Sequence, residues 1–64
     1  MTGKVKSYNT STRYGFITDG HEDFRFHLQD WKAFEPPYKG LEVDFVPYFS
    51  DKGWRAEDIR DKEK

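Results

Sequence analysis

Four residues, Tyr14, Phe16, Arg25 and His27, have the types and the spacing to do chemistry on a flat ligand. They lie in the run Arg13-Tyr14-Gly15-Phe16-Ile17-Thr18-Asp19-Gly20-His21-Glu22-Asp23-Phe24-Arg25-Phe26-His27-Leu28. Two aromatic-rich stretches flank a polar, glycine-bearing segment, a pattern that predicts a β-hairpin. Side chains alternate faces along a strand, so Tyr14 and Phe16 share one side while Gly15 and Ile17 share the other. If Ile17, Phe24 and Phe26 point inward, the outer face shows two rings, a guanidinium and an imidazole. Such a set suits bases stacking along a single nucleic-acid strand. The plainer alternative is that Tyr14 and Phe16 fill the core, since aromatics favour strands and a one-residue register slip exchanges the faces. Alternation alone leaves both open.

Other chemistries find less support. The chain has no cysteine nucleophile and no glycine-rich loop running into a helix to cradle phosphate. Glu22 and Asp23 are adjacent, hence on opposite faces of an extended strand, and cannot serve as a facing acid and base. His21 and His27 are the only histidines, and their separation from nearby carboxylates matches no ligand motif. We therefore expect no enzyme, no metal and no cofactor.

These residues must be positioned by a small scaffold. Sixty-four residues make one domain, and a chain of that size buries only about 60% of its unfolded surface. Stability of about 3 to 5 kcal/mol is expected, with no disulfide to reinforce it. Charged residues make up 36% of the chain, which raises disorder as a possibility, and an aromatic share of 19% argues against it. No apolar stretch approaches a membrane span and the first residues do not read as a signal sequence, so a soluble, cytoplasmic protein with no membrane partner is expected. Net charge of −1 is not that of a whole-surface polyanion binder. The distribution is more telling: from Met1 to Thr18 there are three basic residues, Lys4, Lys6 and Arg13, and no acidic ones. Lys4 and Lys6 can equally serve to solubilise an edge strand.

Along the chain, Lys4-Val5-Lys6 alternates as a half-buried strand, and Tyr8 breaks the period. Asn9-Thr10-Ser11-Thr12 has loop chemistry. After His27, Asp30 is placed to cap a short helical turn through Phe34, which Pro36 and Pro37 stop. Tyr38 either borders a ligand groove or packs on the prolines. Leu41-Glu42-Val43-Asp44-Phe45 alternates cleanly, and Pro47 predicts an edge or bulge. Trp54 to Ile59 forms the last strand, where strict alternation from Ile59 would send Glu57 inward, so either Glu57 lies at the wet rim of the barrel or a bulge shifts the period. The domain is read as residues 1–60, with a charged tail at 61–64. Five short strands without a long helix predict an all-β, nearly closed barrel, either an OB-fold or an SH3-like barrel.

Three segments carry a family resemblance. Lys4-Val5-Lys6-Ser7-Tyr8-Asn9, Arg13-Tyr14-Gly15-Phe16-Ile17 and Asp23-Phe24-Arg25-Phe26-His27-Leu28 resemble, in order, the cold-shock domain patterns K-V-K-W-F-N, K-G-F-G-F-I and D-V-F-V-H-F. The resemblance covers nearly the whole chain and implies a five-stranded antiparallel OB-fold barrel. It implies that Tyr14, Phe16 and His27 face the ligand, and that the first strand kinks so that Tyr8 returns to the core and Ser7 is exposed. Arg13 stands at a family glycine, and Trp31 at an aliphatic core position. Ser7 replaces tryptophan, while Arg25 and Leu28 each replace phenylalanine.

The expected function is binding of single-stranded RNA or DNA with little sequence preference, in the manner of an RNA chaperone. Tyr14 and Phe16 would stack, His27 would stack or donate a hydrogen bond, and Arg25 would stack through its guanidinium plane. Lys6, Arg13 and Lys52 would meet phosphates, with Leu28 beside them on the face. Loss of stacking rings predicts weak, salt-dependent binding by a chain more simply read as a monomer. The competing expectation is a protein-interaction module on the same scaffold, with Trp54 in its surface.

Overall fold

The computed structural model describes residues 1–62. Five strands, β1 (Thr2–Asn9), β2 (Tyr14–Thr18), β3 (Asp23–His27), β4 (Glu42–Ser50) and β5 (Gly53–Asp61), are joined by tight turns except between β3 and β4. They hydrogen-bond in the order β1-β2-β3-β5-β4, and β4 pairs back onto β1 to close the sheet into a ring.

The sheet is mixed, which corrects the expectation of a wholly antiparallel one. β3 and β5 run parallel, meeting at Arg25 and Arg55. Parity requires this: a closed ring with an odd number of strands cannot reverse direction at every joint. The hairpins β1–β2, β2–β3 and β4–β5 and the β1–β4 closure are all antiparallel, so the parallel joint falls at β3–β5.

Inside the ring lie Val5, Ile17, Phe24, Phe26, Val43, Phe45, Ala56 and Ile59, all buried, with Tyr8, Trp31 and Leu41 packed against them. Strict alternation delivers most of this set, and two bulges deliver the rest. In β1, Val5 pairs with Ile17 but Ser7 pairs with Phe16, leaving Lys6 as the extra residue. The kink turns Tyr8 inward, where its ring lies parallel to that of Phe26 at 6.0 Å, and leaves Ser7 exposed. In β5, Asp44 pairs with Arg60 and Val46 with Glu57, so Phe45 opposes both Asp58 and Ile59. Asp58 takes up the extra length at φ 48°. Ala56 and Ile59 both reach the core while Glu57 stays in solvent. Pro47 lies beyond Asp44, where β4 no longer has β1 as a neighbour and so keeps only β5.

The segment after β3 is less helical than its sequence suggests. A single 3-10 turn spans Leu28–Asp30. Asp30 ends this turn rather than starting one, its carboxylate accepting the His27 N–H at 3.4 Å. Trp31 is then drawn into a parallel bridge with Ile59, its ring 5.4 Å from Phe26 and its Nε1–H donating to the Glu35 carbonyl at 2.7 Å. Pairing with β5 competes with helix continuation and wins. At the other end of the chain β5 continues through Asp61, and of the expected charged tail Glu63 and Lys64 lie outside the described residues.

Candidate nucleic-acid interface

Gly15 and Ile17 are buried, so β2 turns Tyr14 and Phe16 outward. Gly15 cannot be replaced freely, because a Cβ there would lie 2.6 Å from the Ser7 carbonyl oxygen and 2.7 Å from the Phe26 ring. That close approach holds β1, β2 and the core together behind the two rings.

Register then assembles the face. Ser7, Phe16, Arg25, Arg55 and Tyr48 are successive cross-strand partners, forming one row over all five strands. Asn9, Tyr14 and His27 form a second, shorter row beside it. Phe16 is 42% exposed, while Tyr14 is half-buried by its neighbours. The Arg25 guanidinium lies over the Tyr14 ring, Cζ to centroid 4.3 Å, and the His27 imidazole meets the same ring edge-on at 4.7 Å and 75°. These contacts fix three of the four residues relative to one another before any ligand arrives.

His27 is further oriented by the 3-10 turn, whose Gln29 N–H donates to His27 Nδ1 at 3.1 Å. With Nδ1 accepting, the proton of the neutral ring is on Nε2, which is left as a donor. Leu28 is half-buried at the start of the turn and donates its N–H to the Arg13 carbonyl at 2.9 Å. Arg13 also donates its own N–H to the Asn9 carbonyl at 2.8 Å. Its backbone thus ties the β1–β2 loop to the 3-10 turn, at φ 65°, in the left-handed region that favours glycine.

The cations divide into engaged and available. Lys6 is exposed but its Nζ is 2.8 Å from Asp23 Oδ2, so much of its charge is already matched. Arg55 lies 4.0 Å from Asp30. Arg25 and Arg13 have no carboxylate partner among the described residues. Lys52 sits in the turn joining β4 and β5, beyond the last cross-strand pair and outside both rows.

Arg55 and Tyr48 are members of the long row that sequence reading missed. Alternation counted back from Ile59 would turn Arg55 inward, and only the bulge at Asp58 brings Ala56 to the core and Arg55 to the outer face. That β5 lies beside β3 depends on ring closure. Tyr38 lies with Phe34, Leu41 and Lys62 around a separate groove of about 710 Å³ that includes no member of either row, so it does not border the ring face. Trp54 packs edge-on against Phe24 at 5.6 Å and Phe49 at 5.1 Å, and Trp31 lies on Phe26. Neither tryptophan belongs to the face.

Among the described residues no three histidine or carboxylate side chains gather closely enough to hold a metal ion, and no helix is long and apolar enough to cross a membrane. No protein-family model matches the chain, and no curated protein matches it significantly in sequence.

Proposed function

We propose that this protein binds single-stranded nucleic acid, RNA or DNA, by stacking bases on Tyr14 and Phe16, in the manner of an RNA chaperone of the cytoplasm. The observation that carries the reading is the outward display of both rings, with Gly15 and Ile17 buried behind them and Phe16 42% exposed. Arg25 adds a charged plane, and His27 adds a donor at the edge. The closed five-strand order is compatible with the OB-fold implied by the cold-shock resemblance. Ser7, which supplies no ring where that pattern has tryptophan, lowers the affinity, and the pairing of Lys6 with Asp23 lowers it further.

With Arg13, Arg25 and Lys52 as the cations left for phosphate, the log–log salt slope is expected to be about −2 on single strands. Because neither tryptophan lies on the face, the test is anisotropy of a labelled oligonucleotide at low salt. Wild-type binding in the micromolar range that Phe16→Ala weakens about fivefold or more supports the reading. Equal titrations for the two proteins, or none at high micromolar concentration, would sink it.

A further inference from the structure

One edge of β4 is covered for only half its length. Phe45 exchanges both backbone hydrogen bonds with Met1, its N–H donating to the Met1 carbonyl at 2.7 Å and its carbonyl accepting from the Met1 amine at 2.9 Å. Backbone polar groups alternate sides along a strand, and the extra residue of the β4–β5 bulge lies in β5, so the alternation in β4 is unbroken. Pro47 and Phe49 therefore turn their backbone groups to the same side as Phe45, away from β5. Pro47 fits that direction, having no N–H to give a ladder. On that side the contacts of β1 stop at Phe45, and among the described residues no hydrogen bond reaches the Pro47 carbonyl or the Phe49 N–H and carbonyl.

The side chains along this open edge are uncharged. In Val46-Pro47-Tyr48-Phe49-Ser50, Val46 is 53%, Tyr48 50% and Phe49 66% exposed. Asp44 lies before the run and Lys52 after it. An unpaired edge with apolar flanks is a template for another strand, and this one is complementary to itself.

We propose that β4 pairs antiparallel with β4 of a second copy of this chain, about a two-fold axis at Tyr48. That axis sets Tyr48 opposite Tyr48, Val46 opposite Ser50 and Pro47 opposite Phe49. The Phe49 N–H of each copy donates to the Pro47 carbonyl of the other, so the proline costs a donor without blocking the pair. On the inner face Phe49 meets the pyrrolidine ring, and on the outer face the two tyrosine rings meet each other. Asp44 of each copy comes beside Lys52 of the other, placing opposite charges at both ends of the contact. A shift of two residues in either direction loses that match, which selects this register over its neighbours. Because the same edge is used on both copies, the assembly closes as a dimer and does not propagate. So short a ladder makes a weak and reversible contact. The pairing stands apart from the single-strand reading, although Tyr48 ends the long row, which the dimer continues from one copy into the other.

The test is made without nucleic acid. Sedimentation of the wild-type chain, concentrated to about 1 mM, is expected to show a reversible monomer–dimer equilibrium. Tyr48→Lys sets like charges directly opposite each other and is expected to abolish it. The chain has no cysteine, so single substitutions report the register by disulfide trapping. Opposed residues at the axis lie about 4.5 Å apart between Cα atoms, within the span of a disulfide. Tyr48→Cys is therefore expected to oxidise to a covalent dimer about tenfold faster than Val46→Cys, whose own counterpart is out of reach, or the distant Ser7→Cys. Equal rates for the three variants, or a dimer that survives Tyr48→Lys, would place any contact elsewhere and overturn the proposal. A wild-type chain that stays monomeric throughout overturns it as well, and leaves the edge to a strand from a different protein.

Discussion

The guanidinium carbon of Arg25 sits over the Tyr14 ring, 4.3 Å from its centroid, so the cation is already in contact with the ring. The two residues are diagonal neighbours on β2 and β3, Tyr14 pairing with His27 and Arg25 with Phe16. A base arriving at this point meets a preassembled layer whose ordering cost was met in folding. The layer separates two contributions that are usually confounded. Arg25→Lys keeps the charge and loses the plane: affinity is expected to fall several-fold with the salt slope unchanged. Arg25→Ala loses both, and the slope is expected to become shallower by about 0.7. Titrations across a salt series check the pair. An affinity that Arg25→Lys leaves unchanged would mean that the guanidinium contributes only its charge.

Arg13 holds φ 65°, and a non-glycine residue there costs about 1 kcal/mol or more. Glycine relieves that strain but enlarges the unfolded ensemble, which offsets part of the gain. Arg13→Gly is therefore expected to be neutral to about 1 kcal/mol stabilising, while oligonucleotide affinity falls and the salt slope loses about 0.7. Chemical denaturation and a salt-series titration read the two effects independently. Concurrent loss of stability and affinity would show that the side chain supports the loop instead of the ligand.

Arg13 also shows what sequence reasoning reached. Arg13 stands where the cold-shock pattern has glycine, and its backbone lies in the left-handed region that glycine favours. Alternation grouped Ile17 with Gly15, Phe24 with Phe26 and Val43 with Phe45, because period-2 burial is a local property; it left open which face of β2 and β3 turns inward, and the five apolar residues are all buried. Non-local geometry was harder. The route by which Glu57 escapes the interior required the bulge at Asp58, which sequence raised as one of two possibilities. The parallel meeting of Arg25 with Arg55 follows from closing an odd number of strands, a fact about the whole ring that no local pattern encodes. Arg55 and Tyr48 were missed for that reason, and the helical turn expected through Phe34 gave way to pairing of Trp31 with Ile59.

The turn between β2 and β3 gives a pH dependence with a definite sign. The N–H groups of Glu22 and His21 each donate to Asp19 Oδ1 at 2.8 Å, and they hold the carboxyl below its ordinary value of 3.8. A group whose folded value is depressed stabilises the fold above its unfolded value and loses that contribution as pH falls through the folded one. Thermal melts of the wild type from about pH 5 down to about pH 2 therefore include a loss from Asp19. Asp19→Asn retains an acceptor oxygen and gains no proton, so its melting temperature is expected to fall less steeply over the same window. Parallel curves for the two proteins would show that the turn makes no pH-linked contribution.

Ser7 is exposed and is the cross-strand partner of Phe16 at the head of the long row. The bulge at Lys6 already turns position 7 outward while returning Tyr8 to the core, so the backbone is set for a large side chain there and none is present. Ser7→Trp is expected to add a neutral platform next to Phe16. One more stacked base is worth about 1 to 3 kcal/mol, roughly fivefold to over a hundredfold in affinity. Since no charge is added, the salt slope should stay where it was in the wild type. The new indole would also place a fluorophore on the face, where Trp31 and Trp54 are not, so its emission should be quenched as oligonucleotide binds. Tighter binding without quenching would locate the strand elsewhere on the sheet, and quenching without tighter binding would show that the indole is covered by the ligand but adds no net stacking.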